Sequence, residues 1–260
     1  MSESNPDHRK SGAMKYEVFK DSIKDFIPYL FRVWLYDEGE PLLNKDIYKI
    51  LYYLNKNNVG TCVSSNFSFP MSNDNLEELI NSGLQHLIIS VDGATQESYS
   101  QYRIGGNLNL VLSNIQRLQS LLNQKKNKHL KVEIQFLEFD HNKSDREQMC
   151  KIAKELGVWR LTIIEGCSVD GIDVKQVITK EKKYNKGCYE IWLGTTINSI
   201  GELGTCDYGE DFGIPNIGMA KDYRIGKLRN HKSLIQLRKS FGERSIPLQD
   251  ICQNCFYSIK

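Results

Sequence analysis

The sequence predicts an α/β protein in which parallel strands alternate with helices, followed by a smaller cysteine-bearing domain. Three observations carry that expectation. Short runs rich in β-branched and aromatic residues alternate five times with stretches whose apolar residues return at helical spacing. The strand runs close in polar residues, most of them carboxylates. Four of the seven cysteines fall late in the chain, at Cys188, Cys206, Cys252 and Cys255. Such alternation builds a parallel sheet, either open or a partial barrel, because a parallel crossover needs a helix-length connection.

Each element follows from local pattern. Residues 1–13 are polar and turn-like, and Tyr16, Phe19, Ile23, Phe26 and Ile27 then recur at helical spacing up to Pro28. Residues 30–36 read as a buried strand that breaks in the acidic turn Asp37-Glu38-Gly39-Glu40-Pro41, ahead of a helix around 43–56. Residues 59–64 form a second strand ending in Ser64-Ser65-Asn66, before a helix at 73–84. The third strand, 86–91, ends in Asp92-Gly93, followed by a short helix at 95–99, a loop at 103–106 and a longer helix at 108–122. The fourth, 131–137, ends in Asp140-His141-Asn142, and a helix at 144–156 stops at Gly157. The fifth, 159–164, ends in Glu165-Gly166.

Ligands collect at the carboxyl ends of parallel strands. Glu38, Glu40, Ser64, Asn66, Ser90, Asp92, Gln135, Asp140 and Glu165 are therefore expected on one rim, suited to a cation or an amine. Acidic residues there also suit the N-terminus of the next helix. After Gly166 the periodicity fades, so the domains divide into 1–166 and 167–260. Residues 180–186 read as a solvated loop, 192–200 with Gly201, Gly204 and Cys206 as a β-hairpin, and 233–241 as a helix.

Composition excludes several classes. Of the 260 residues, 40% are hydrophobic and 25% charged, which is ordinary for a soluble globular chain. A net charge of +2 with scattered lysines gives no nucleic-acid footprint. No apolar run reaches membrane-spanning length and the polar start is no signal peptide, so the expected compartment is the cytoplasm, with neither a membrane nor a nucleic-acid partner. In a reducing compartment thiols stay free, bind metal or do chemistry. Cys252-x-x-Cys255 can grip one metal from a tight turn, and a hairpin would bring Cys188 toward Cys206. Four thiolates suit zinc or an iron–sulfur cluster, which spacing alone does not separate. Cys62 in a strand and Cys150 in a helix read as core residues, and Cys167 sits at the domain junction.

These residues together resemble radical S-adenosylmethionine (SAM) enzymes carrying a C-terminal SPASM or twitch auxiliary-cluster domain, over about residues 5–255. Gly39-Glu40 is similar to the family's glycine–glutamate motif, which holds the methionine amino group of SAM; Glu38 stands where the family often has glycine. Residues 90–99 with 102–106 resemble its fourth-strand signature. The resemblance implies that Ser90 and Asp92 face the ribose side, that Arg103 pairs with the SAM carboxylate, and that Gln135 contributes from the next strand. It implies one auxiliary [4Fe–4S] cluster on Cys188, Cys206, Cys252 and Cys255. The expected fold is a partial (β/α) barrel without its first strand, followed by a small SPASM/twitch domain containing a β-hairpin.

One departure is plain. The family's C-x-x-x-C-x-x-C loop, which binds the catalytic [4Fe–4S] cluster, does not occur in residues 1–260. The resemblance implies a chain that starts beyond that loop, holding the catalytic cluster only if the segment is restored. In complete form it would cleave SAM to a 5′-deoxyadenosyl radical for hydrogen abstraction from, or oxidation of, a small molecule or peptide, with an electron donor such as flavodoxin or ferredoxin. Two rivals stand beside this: a degenerate, non-catalytic member keeping a structural iron–sulfur or zinc site, and an unrelated α/β binding protein with a zinc ribbon.

Overall fold

Five strands hydrogen-bond side by side in the order in which the chain makes them: β1 (Arg32–Trp34), β2 (Gly60–Ser65), β3 (His86–Ser90), β4 (Lys131–Glu138) and β5 (Arg160–Glu165). Every neighbouring pair is parallel. The computed structural model describes residues 12–37, 39–165, 187–188, 190–206, 216–242, 252 and 258–259. Its contacts divide the chain into one unit spanning Leu30–Cys167 and another formed by Met1–Tyr29 with Ser168–Lys260.

In the first unit, strand order equal to chain order decides between the two sheet types left open by the alternation. A doubly wound sheet reverses direction at a switch point, whereas this sheet has none, so it is a segment of a (β/α) barrel. Residues alternate between faces along each strand. Val63, Leu87, Ile89, Val132, Ile134 and Phe136 pack on Leu51 of α2 (Ile47–Lys56), Leu76 and Leu79 of α3 (Asn73–Asn81), Ile115 and Leu118 of α5 (Leu108–Gln124), and Met149 of α6 (Arg146–Leu156). Each of these side chains is at most 1% exposed, and burying one contributes roughly 1.5–3 kcal/mol before entropy is counted. The alternate residues, among them Ser64, Ser90, Gln135 and Thr162, face the inner side.

The helices start and stop where their side chains can satisfy the ends. Ser72 with Asn75 caps α3, and Thr95 with Ser98 caps the short α4 (Gln96–Tyr102), each in a reciprocal capping box. Gly157 ends α6 in a left-handed conformation with φ of 66°. Gly93 lets the loop after β3 lie directly on α4: a Cβ there would sit 2.3 Å from the Tyr99 nitrogen.

Some elements differ from expectation. The first strand is three residues long and lies at the sheet edge, with Phe31 91% and Trp34 57% exposed, so its aromatic run is not a sign of burial. Cys62 is buried as expected, whereas Cys150 points outward from α6 and is exposed. The helix before Pro28 stops at Ile23 as α1 (Tyr16–Ile23), followed by a 3-10 turn at Ile27–Tyr29.

In the other unit, α1 packs against a 3-10 turn at Ala220–Asp222. The hairpin is shorter than the sequence suggests: Trp192 belongs to a helical turn, α7 (Glu190–Leu193), and the pairing is β6 (Thr196–Ile197) with β7 (Glu202–Gly204), extended by β8 (Gly218–Met219). Arg238, on the helix Lys232–Gly242, donates to the carbonyls of Ile191 and Arg229 and stacks 4.8 Å from the Trp192 ring. A further pair joins Gly187–Cys188 to Ser258–Ile259. Glu38, Cys167 and Cys255 lie outside the described residues, as do residues 170–186, 207–215 and 243–251.

Candidate functional site

The carboxyl edge of the sheet holds most of the residues singled out from sequence. Gly39 takes a φ of 84°, which glycine adopts without cost, and turns the chain out of β1. Glu40 caps the 3-10 turn Pro41–Leu43 and clips two loops together: Leu42 N–H donates to its Oε1 (3.1 Å) and Asn66 N–H, beyond β2, to its Oε2 (2.8 Å). Burial pushes the Glu40 carboxyl above its usual value, against the pull of those amides, the Ser65 hydroxyl and the Arg103 charge.

After β3, Asp92 is fully buried. Its Oδ1 accepts from Leu137 N–H (2.7 Å) and its Oδ2 from Arg103 Nε (2.5 Å). Burial raises the Asp92 pKa, and Arg103 counters it most. Arg103 ends α4 with its guanidinium 5.1 Å from the Tyr102 ring and its side chain 27% exposed. The Asp92 pair employs Nε, which leaves terminal N–H groups that can form a fork for a carboxylate. Asn142, fully buried, donates to Asp92 O and Leu137 O and so binds the ends of β3 and β4 to each other. Asp92 therefore orients Arg103 instead of facing outward itself.

Ser90 and Gln135 are direct register partners on adjacent strands, and Thr162 is Gln135's partner on the next. The side chains of Ser64, Ser90 and Gln135 make no hydrogen bond among the described residues. Their polar atoms are not sealed off, because only Tyr99 Oη and Thr205 Oγ1 are both buried and unpartnered among the described residues. Burial pushes the Tyr99 phenol above its usual value, against the pull of the Ser68 hydroxyl and the Arg103 charge. Asp140 is drawn to Lys143 at 2.5 Å and almost wholly exposed, and Glu165 is exposed. The sequence grouped these two with the rim, but the structure ties neither to the Glu40–Asp92–Arg103 group.

A second polar row was not anticipated. Near the amino ends of the strands, Arg32 Nη2 donates to His86 Nδ1 (2.9 Å), His86 Nε2 meets Glu133 Oε2 (2.8 Å), and Arg160 grips the same oxygen. Arginine can only donate, so Nδ1 carries the lone pair and Nε2 the proton, and the imidazole is neutral. Burial accordingly lowers the His86 pKa, against the attraction of Glu133. Burial pushes Glu133 up, but Thr162, Arg160 and His86 outweigh it and hold that carboxyl below its usual value. Cys62 Sγ lies 3.6 Å from Nδ1, and burial pushes its thiol up to about 11.

Of the C-terminal cysteines, Cys188 stands opposite Ser258 in an antiparallel register, three positions beyond Cys255 in sequence. Thr196 Oγ1 donates to the Cys206 carbonyl (3.4 Å). Among the described residues, no group of three or more His, Cys, Asp or Glu is placed to hold a metal ion, and Cys255 is not among those residues. No described helix is long and apolar enough to cross a membrane.

The ordered five-strand sheet with its inner polar face has the fold of a partial (β/α) barrel, shared with the solved structures that follow. Streptococcus suis SuiB superposes with a TM-score of 0.69 at 13% identity, covering 95% of this chain and 68% of that one. It has also been solved bound to S-adenosylmethionine and to the precursor peptide SuiA. Native anSMEcpe with bound AdoMet gives 0.64 at 13% identity, over 95% of this chain and 80% of that one, and a further structure holds the Kp18Cys peptide. At such identities the likeness is one of fold. Among curated proteins, GTP 3′,8-cyclases of Clostridium botulinum are 31% identical over 83 residues, which is 32% of this chain. The matched stretch spans 26% of those relatives' length. No protein-family model matches the sequence.

Proposed function

We propose that residues 30–167 form the SAM-binding part of a radical SAM protein, and that the cysteine-bearing unit holds an auxiliary [4Fe–4S] cluster or a zinc ion on Cys188, Cys206, Cys252 and Cys255. One observation carries the first half. Among the described residues, Ser90, Gln135 and Ser64 are unengaged on the inner face, at the same sheet edge where Asp92 holds Arg103 through Nε and leaves its terminal N–H groups spare. Such a set suits a ligand that ends in a carboxylate and carries hydroxyls. Arg103 would take the carboxylate, Ser90 and Gln135 the ribose side, and the Gly39-Glu40 turn the amine, through backbone carbonyls and the lone pairs left on Glu40.

Support for the cysteine site is the register of Cys188 with Ser258, which sets it beside the chain that has just passed Cys252-x-x-Cys255. A catalytic cluster is a different matter. Cys62 is buried with a raised pKa and Cys150 lies exposed on a helix, and neither belongs to a compact three-thiolate loop. The residues present do not fit that cluster, so no step of SAM cleavage is assigned to them. A radical SAM protein that carries the catalytic cluster would generate a 5′-deoxyadenosyl radical, and the substrate we propose is a peptide or a small molecule. The peptide complexes of SuiB and anSMEcpe speak for the first, the GTP 3′,8-cyclase relatives for the second.

Calorimetric titration of the full chain with S-adenosylhomocysteine tests the reading. One saturable site that weakens when Gln135 and Ser90 are replaced by alanine is the expected result. Absence of binding, or binding indifferent to both substitutions, overturns it.

A further inference from the structure

Helix α5 carries an apolar stripe of Val111, Ile115, Leu118 and Leu122, and in the middle of it stands Asn114, fully buried. A buried amide in such a stripe is costly unless its hydrogen bonds are made. Asn114 makes them with the loop after β2: its Nδ2 donates to Phe67 O (3.0 Å) and to Phe69 O (2.9 Å). One turn along, Arg117 donates to Met71 O (2.7 Å). That loop is held in a conformation it would not choose. Phe67 has a φ of 54°, a left-handed value that a bulky non-glycine residue rarely takes and keeps only when its surroundings fix it. Phe67 N–H donates to Ser65 Oγ (2.9 Å), Ser68 N–H to Asn66 Oδ1 (2.8 Å), and Asn66 N–H to Glu40 Oε2.

The geometry points to Asn114 as a positioning residue: by holding the Phe67 and Phe69 carbonyls, it keeps the left-handed turn that aims Asn66 N–H at the Glu40 carboxylate. Asn114 touches no ligand in this account, and its link to binding rests on the reading of Glu40 as part of a SAM site. The structural half stands without that reading, because it concerns the Asn66 amide alone.

Amide hydrogen exchange on the full chain tests it, with Leu118→Ala on the same helix as a control for general destabilisation. In Asn114→Ala, protection of the Asn66 amide should fall about tenfold further than that of Ile89 in the sheet core, whereas in Leu118→Ala the two should fall together. If Asn66 loses protection only in step with Ile89, the positioning role is overturned. Should Asn114→Ala not fold, Asn114→Ser keeps one donor and is expected to shift the same ratio by less. S-adenosylhomocysteine affinity gives the second readout. It should weaken about tenfold in Asn114→Ala and hold in Leu118→Ala. An affinity unchanged by Asn114→Ala overturns the link to Glu40. A wild-type chain that binds none overturns the SAM reading instead, and the exchange ratio still decides the role of Asn114.

Discussion

Replacing Arg103 by alanine should destabilise the protein in a way that a second substitution repairs. Asp92 is fully buried, and without Arg103 its carboxylate keeps one hydrogen bond among the described residues, from Leu137 N–H. Removing one partner of a buried pair costs about 3–5 kcal/mol, because the other charge is left uncompensated. The surviving amide bond argues for the lower end, about 3 kcal/mol at pH 8. For a unit of this size that is a fall in Tm of roughly 10 °C. The cost should shrink as pH falls. Burial already raises the Asp92 pKa in the folded protein, and loss of Arg103 raises it further. A carboxyl with a raised folded pKa stabilises the fold when protonated and loses that contribution as pH rises through the folded pKa, so the variant is penalised most in alkali. Adding Asp92→Asn removes the charge while leaving an oxygen for the Leu137 N–H, and should recover about 2 kcal/mol. Thermal melts of the wild type, Arg103→Ala and Arg103→Ala/Asp92→Asn at pH 5 and pH 8 measure all of this. A double variant no more stable than Arg103→Ala, or a loss equal at both pH values, would refute the buried-pair argument.

Other outcomes follow from the same geometry. His86 has its pKa lowered by burial, so the stability it confers is present above its ordinary value and is lost as pH falls below about 6.5; His86→Gln should flatten the melting temperature between pH 7.5 and 5.5 relative to wild type. Gly93→Ala should cost about 3 kcal/mol or more in urea unfolding, since its Cβ meets the Tyr99 backbone at 2.3–2.5 Å, whereas Gly226→Ala, with nothing within 4 Å, should be neutral or stabilising by up to about 1 kcal/mol. In the native protein Cys150 should react with a thiol reagent at once, while Cys62, buried with its thiol pushed to about 11, should stay protected until unfolding. Iron and zinc analysis after anaerobic purification should find one metal centre, lost on replacing Cys252 and Cys255 by alanine.

The sheet was legible because its signals are local. A run such as 131–137, a polar close and a helical stripe can be read without knowing what they touch, and strand limits agree to within one residue except in β1, where each end differs by two. What failed was whatever depends on neighbours. The aromatic run 31–36 looks buried in sequence, yet among the described residues β1 pairs on one side only and leaves Phe31 and Trp34 exposed. The outward face of α6 was not distinguished from its inward one at Cys150. Gly39, Glu40, Ser90, Asp92, Arg103 and Gln135 can be singled out in the sequence, but that Asp92 holds Arg103 emerges only from the side-chain geometry. The Arg32–His86–Glu133–Arg160 row was invisible because its members lie one per strand and meet only through register. A histidine opening one apolar run and a glutamate inside the next were the available signal. Asn114 left a similar trace, a lone polar residue inside an apolar helical stripe.

S-adenosylmethionine binding at the inner carboxyl edge of the sheet is the proposal on which the other roles rest. A crystal structure of the chain with S-adenosylhomocysteine tests it most directly. The ligand's carboxylate is predicted within hydrogen-bond distance of the Arg103 terminal nitrogens, with Asp92 still holding Nε and the ribose hydroxyls against Ser90 and Gln135. A ligand lodged elsewhere, or at this edge with its carboxylate away from Arg103, would contradict the claim.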